Sequence, residues 1–127
     1  EHPPLYTAGT SADPKELIKP NNQIPVFNTG RGGRFTYHGP GQRVVYVMLD
    51  LEIRGKDIRK FVYNLEEWVI RSLDALDVNA QRRDKMIGVW TIGVDGKQAK
   101  LASIGIRIKI EKMGNLSWII YKCKSEP

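Results

Sequence analysis

Gly30-Arg31-Gly32-Gly33-Arg34-Phe35-Thr36-Tyr37-His38-Gly39-Pro40-Gly41-Gln42 leads almost directly into Val44-Val45-Tyr46-Val47-Met48-Leu49. The first stretch holds five glycines, two arginines and one of the chain's two histidines. Glycine lets the backbone take positive φ and lets a ligand approach closely. The adjacent arginines offer planar forks for carboxylate or phosphate. A hairpin turn needs only one or two glycines. Such density therefore favours a ligand-binding loop over a purely structural one. The apolar run that follows predicts a strand over residues 44–51. Val45, Val47, Leu49 and Leu51 form its apolar face, and Tyr46 and Met48 are expected in the core.

Moving outward, residues 57–76 read as the one clear helix. Ile58, Phe61, Leu65, Trp68, Val69, Leu73 and Leu76 recur at helical spacing, which puts Trp68 in the core. Asp57 is the expected cap. Lys56, Arg59, Lys60, Glu66, Glu67 and Arg71 form the wet face. Asp13 caps a single helical turn with Pro14 in first position. Ile24-Pro25-Val26-Phe27 is a short extended piece confined to a sheet edge. Residues 77–85 read as a loop and 88–93 as a strand. Asp95-Gly96 signals a two-residue hairpin. Residues 97–110 return as a strand, with Ile104, Ile106, Ile108 and Ile110 on one face.

The 127 residues allow one domain at most, and 41% hydrophobic with 27% charged residues is ordinary for a globular chain. No apolar run approaches the roughly 20 residues of a membrane helix. One cysteine excludes an internal disulfide and fits a reducing, cytoplasmic setting. A net charge of +6 is either a solvated surface or a face for an acidic partner. The basic residues are scattered and no nucleic-acid motif is present. Two histidines and one cysteine are too few for a metal centre.

The order of residues adds a family resemblance. Arg-Gly-Gly-x-x-Thr-Tyr-His-Gly-Pro-Gly-Gln followed by Val-x-Tyr resembles the signature of the octanoyltransferases, or lipoate-protein ligase B family. Glu1-His2-Pro3-Pro4-Leu5-Tyr6-Thr7-Ala8-Gly9 and Gly88-Val89-Trp90 agree in order, and Lys100-Leu101-Ala102-Ser103-Ile104-Gly105 matches the family's Lys-x-Ala-x-x-Gly. The resemblance implies an α+β or α/β fold, a mixed sheet with packed helices like that of the biotin and lipoate protein ligases, here incomplete. A helix and strand are expected ahead of Glu1. The implied reaction moves octanoyl from acyl carrier protein to a lysine of a lipoyl domain. The implied acceptors are the lipoyl domains of 2-oxoacid dehydrogenases and the glycine cleavage H protein. No cofactor is implied, neither metal nor nucleotide, and no nucleic acid or membrane partner.

By the same resemblance Lys100 lowers the pKa of a nucleophilic cysteine. Arg31, Gly32, Gly33, Arg34, Phe35, Thr36, Tyr37, His38, Ser103, Ile104 and Gly105 line the acyl-substrate site. Without the resemblance, Lys100 is one of many lysines beside a turn. A thioester transfer needs a thiolate, a proton-handling group and oxyanion donors. The family's cysteine lies in a Pro-Cys-Gly turn, whereas Cys123 has lysine flanks and is not assigned as the nucleophile. Shifting the reading frame one base forward at Met113 turns Met113-Gly114 into Trp for any codons. The following residues can then read Val-Thr-Tyr-His-Gly-Leu-Tyr-Ile-Asn-Val-Asn, the family continuation. The expectation is a partial catalytic domain over residues 1–112 and an out-of-frame tail over 113–127. The nucleophile would then be absent from this chain. Ile104, Ile106 and Ile108 would have lost packing partners, leaving the domain marginally stable. Two rivals stay open: an ATP-dependent lipoate or biotin ligase, and a non-catalytic module that binds acyl carrier or lipoyl domains.

Overall fold

The computed structural model describes residues 1–17, 23–111 and 114–124, with side chains through residue 108. Met113, where the frame change is expected, lies outside the described residues. The first sheet has three strands. β1 (Leu5–Ala8) is central, parallel to β2 (Val26–Asn28) and antiparallel to β3 (Phe35–His38). β2 is an edge, as Pro25 requires. Between β1 and β2 runs a 3₁₀ turn, Pro14–Glu16, whose cap Asp13 accepts the Lys15 N–H at 3.0 Å.

The second sheet is an antiparallel meander. Its order is β4 (Gln42–Arg43), β9 (Gly114–Lys124), β8 (Gln98–Glu111), β7 (Met86–Ile92) and β6 (Gln81–Arg83), and β5 (Leu49–Asp50) also pairs β9. The strand expected over residues 44–51 is thus corrected to two short pieces with a single bridge residue, Tyr46, between them. Arg43 pairs Cys123 and Leu49 pairs Ser117, so both pieces keep one register and the ladder opens without slipping. The alternation itself holds. Val45, Val47 and Leu49 pack against the buried Leu51, Phe61 and Leu65. Tyr46 and Met48 are half-exposed on the other side, not core. The loop expected at 77–85 contains β6, an edge strand beside β7.

α1 (Ile58–Asp74) begins at Asp57, whose carboxylate accepts the Lys60 N–H at 2.9 Å. It packs on β7 and β8. Phe61, Leu65 and Leu73 are buried and Val69 joins two core clusters. Trp68, expected in the core, is 49% exposed, and Leu76 lies past the helix end at 71%. Glu66, expected in water, is buried at 8%. The apolar stripe turns along the helix, because 3.6 residues per turn is not a heptad. Glu66 lies one heptad before Leu73 and so faces the sheet.

The β7–β8 turn is centred on Val94 and Asp95, not on Asp95 and Gly96. The Gly96 N–H donates to Gly93 O at 2.9 Å, and the Gly93 N–H to Lys97 O at 2.8 Å. Gly96 takes the left-handed φ of +73° that closes the longer loop. Ile104 and Ile106 are half-buried against the Leu51 cluster, while Ile108 is exposed. Among the described residues, no helix is long and apolar enough to cross a membrane.

Candidate active site

β8 is held between two partners. Ala102, Ile104 and Ile106 face α1. Gly105 and Arg107 face the glycine loop: a Cβ on Gly105 would stand 2.9 Å from Arg31 Cδ, and one on Gly30 would stand 2.7 Å from Arg107 Cζ. The loop is tied to the strand by the Gly32 N–H, which donates to Ile106 O at 3.0 Å. It is tied to β1 through Gly9, where a Cβ would lie 2.1 Å from Gly33 O. Gly9 is therefore required by close backbone approach, whereas Gly30 and Gly105 are met by arginine side chains.

Arg31 is the loop's anchor. It is buried, and its Nη2 donates to Thr7 O at 3.0 Å, Thr7 Oγ1 at 2.8 Å and Thr36 Oγ1 at 2.9 Å. Its Nη1 donates to Gly32 O at 3.1 Å. Burial lowers its pKa from the ordinary value, since the charged form loses solvent. His38 is buried at 2%, with Nε2 3.0 Å from Thr7 Oγ1 and its ring edge-on to His2 at 5.6 Å. Tyr46 supports His2, their polar atoms lying 3.2 Å apart.

Lys100 reaches the same place because β8 bulges. Val89 pairs Ala102 but Trp90 pairs Lys100, so Leu101 is the extra residue. Leu101 and Ala102 both pack on the Leu73–Val89 cluster, consecutive residues on one face. The parity change turns Lys100 to the face of Ser103 and Gly105, a re-aiming for which bulges are suited. Its ammonium donates to Ile87 O at 3.1 Å and sits 4.6 Å from the Trp90 ring centroid. Partial burial lowers its pKa, opposed by the Glu66 carboxylate.

Arg31, Gly32, Gly33, Arg34, Phe35, Thr36, His38, Lys100, Ser103, Ile104 and Gly105 enclose a cavity of about 210 Å³. Of the residues expected there, Tyr37 stands apart, half-exposed and edge-on to Tyr6 at 5.5 Å. A second cavity of about 400 Å³ shares Arg31 and His38 as walls and adds His2, Leu5, Phe27, Tyr46 and Arg107. A larger groove, about 570 Å³, lies beside α1 along Phe61, Leu65 and Trp68, away from Lys100. Among the described residues, no three His, Cys, Asp or Glu side chains group as metal ligands would.

Residues 1–118 match the family model of the lipoyl protein ligase A/B catalytic domain. The chain belongs to the lipoyl protein ligase A/B catalytic-domain family. It is 60% identical over 109 residues to an octanoyltransferase of Sphingopyxis alaskensis, covering 86% of this chain and 49% of that protein. It is 55% identical over 109 residues to one of Paramagnetospirillum magneticum, covering 86% and 51%. It is 52% identical over 117 residues to one of Cereibacter sphaeroides, covering 86% and 53%. The chain spans about half the length of these curated relatives.

In this lipoyl protein ligase A/B domain the first cavity is lined by three cations, Arg31, Arg34 and Lys100, and by no carboxylate. Arg34 is partly neutralised by Glu16 at 2.7 Å. Such a wall favours a ligand atom that carries or gains negative charge. Sequence reasoning missed Thr7, whose hydroxyl joins Arg31 to His38, because a lone strand threonine carries no signal. It also missed Gly88 and Glu66. Gly88 takes a φ of +125° and donates its N–H to Glu66 Oε1 at 2.9 Å. A glycine inside a strand pattern was a usable signal for a bulge.

Proposed function

We propose that this chain forms the acyl-binding and lysine side of an octanoyltransferase, which moves octanoyl from acyl carrier protein to a lipoyl-domain lysine. The cavity that joins the glycine loop to Lys100 carries this reading. In the transfer a cysteine thiolate attacks the octanoyl thioester carbonyl, and the carrier thiol leaves with a proton. The lipoyl-domain amine then attacks the enzyme thioester, forming the amide and returning the thiol. Lys100, with its lowered pKa, handles those protons. Arg31 to Thr36, His38 and Ser103 to Gly105 hold the acyl group and its oxygen. Acidic lipoyl domains of 2-oxoacid dehydrogenases and of the glycine cleavage H protein suit the +6 net charge. The reaction places the protein in the cytoplasm and requires no metal or nucleotide.

Cys123 is not the nucleophile in this reading. Residues 113–127 are an out-of-frame tail, and the chain by itself binds without capturing. Titration of the chain with octanoyl-acyl carrier protein is expected to show saturable binding, weaker for the unacylated carrier. Intact mass is expected to show no octanoyl increment. An octanoyl thioester on Cys123 would restore that residue as nucleophile. Octanoylation of a lipoyl domain from free octanoate and ATP would replace the transferase with a ligase. Absence of binding would remove the reading.

A further inference from the structure

The bulge that aims Lys100 has a support reaching in from the helix. Glu66 projects from α1 toward β7, buried at 8%. Its Oε1 accepts the Gly88 N–H at 2.9 Å, next to the residue where the register shifts. Its Oε2 lies 3.3 Å from Arg82 Nε on β6. Arg82 is itself fixed: Nη2 donates to Glu67 Oε2 at 2.6 Å and to Tyr63 O at 3.1 Å, and its guanidinium lies 3.9 Å over the Tyr63 ring.

Gly88 then determines where the lysine stem runs. A Cβ there would stand 2.6 Å from Ala102 O and 3.2 Å from Lys100 Cε. The neighbouring carbonyl, Ile87 O, accepts from Lys100 Nζ at 3.1 Å. One chain of contacts therefore runs from Glu66 through the Gly88–Ile87 backbone to the lysine ammonium. A carboxylate in this position is expensive unless hydrogen-bonded and paired, and it is both. An apolar residue would fill the helix face more cheaply, so the carboxylate's contribution is its reach to the bulge.

We propose that Glu66 is a positioning residue that pins the β7–β8 bulge through Gly88 and so directs Lys100 into the cavity. The inference rests on the reading of Lys100 as the proton-handling residue of the proposed transfer. Glu66 also faces Lys100 electrostatically. The other charged groups facing this pair are Arg82, shared between Glu66 and Glu67, Arg83 over the Trp90 ring that Lys100 also meets, and Arg31 and Arg34 across the cavity. Glu66 is the anion that opposes the burial of the ammonium.

The test uses the intact chain and needs no turnover. Trace acetylation across a pH series, read by peptide mass spectrometry, gives the labelling midpoint of Lys100 against exposed Lys15. Amide exchange at Gly88 is followed in parallel. Glu66→Gln keeps an oxygen for the Gly88 N–H but removes the charge. Gly88 protection is expected to persist while the Lys100 midpoint falls below that of the parent chain. Glu66→Ala removes the acceptor. Gly88 exchange is expected to accelerate about tenfold or more, and Lys100 labelling to approach that of Lys15. A lower urea midpoint in Glu66→Ala with Lys100 labelling unchanged relative to Lys15 would mean a merely structural role and overturn the inference. If Glu66→Ala does not fold, Glu66→Asp decides: it keeps the charge and draws the carboxylate back from the Gly88 N–H, and unchanged Gly88 exchange with unchanged Lys100 labelling there overturns the inference. Failure of octanoyl-acyl carrier protein binding would remove the functional reading while leaving these Lys100 measurements to stand or fall alone.

Discussion

Replacing Arg31 by methionine sets two opposing effects against each other. The guanidinium has four acceptors: Nη2 shares its two hydrogens among Thr7 O, Thr7 Oγ1 and Thr36 Oγ1, and Nη1 donates to Gly32 O. A hydrogen bond to a charged group contributes about 1.5–3 kcal/mol net of the water it replaces, so the three hydrogens involved contribute about 4.5 kcal/mol at the lower end. Against it stands the burial of a cation, a cost that those net values already contain in part. No acidic side chain among the described residues is paired with Arg31 to offset that cost. Methionine preserves the stem that packs beside Gly105 and removes both effects. The expected net loss is about 2–4 kcal/mol. With a urea slope of about 1.5 kcal/mol per molar for a chain of this size, the midpoint drops by about 1.3–2.7 M. Equilibrium urea unfolding followed by tryptophan fluorescence measures it. An Arg31→Met variant as stable as the parent, or more so, would show that burial of the charge outweighs its hydrogen bonds. The anchoring role would then be wrong.

Gly9→Ala and Gly105→Ala separate rigid from yielding neighbours. The new Cβ meets backbone at 2.1 Å in the first and the Arg31 stem at 2.9 Å in the second, so urea midpoints should fall much further for Gly9→Ala. Phe61→Ala should cost about 3–4 kcal/mol by the same measurement, and Trp68→Ala only about 1–1.5, because Trp68 is half-exposed. Hydrogen bonds first from Arg82 and then from Arg71 hold the Glu67 carboxyl below its ordinary 4.5. The stability it contributes is therefore present above about pH 4.5 and lost as pH falls through the lowered value. Urea midpoints between pH 3 and 6 should show a flatter acid limb in Glu67→Gln. Lys100 gives a slope of the same sign in the alkaline range: burial lowers its pKa, so stability rises with pH between that value and the ordinary 10.5, and Lys100→Met should remove this slope.

The spacing of glycines and arginines made the loop legible, because the chain crosses backbone closely at Gly9 and arginine side chains at Gly30 and Gly105. The apolar alternation of Val45, Val47 and Leu49 was equally readable, since burial on one face leaves a period of two. What could not be read was set by partners distant in sequence. The ladder over residues 44–51 opens although its side chains alternate correctly. Trp68 and Glu66 exchanged their expected surroundings, because a carboxylate can be buried once Gly88 and Arg82 meet it. The direction of Lys100 was also hidden. Strict alternation puts it on the face of Ala102, and only the bulge at Leu101 turns it to the cavity.

The two sheets also differ in how they must form. β6 to β9 pair as neighbours along the chain, and the β7–β8 turn is short. The longest closures bring β4 and β5 to β9, Arg43 to Cys123 and Leu49 to Ser117; β1 joins Leu5 to His38 and Tyr6 to Val26, closures that are also longer than those within β6 to β9 and whose entropy is lost before any contact forms. In refolding, the meander and α1 have the shorter route, and the sheet that carries Thr7 and the glycine loop is added to them. Lys100 is then on the early platform and Arg31 on the late arrival. Amino-acid changes that slow the joining of β1 to β3 would leave a population with its lysine in place and its cavity wall missing.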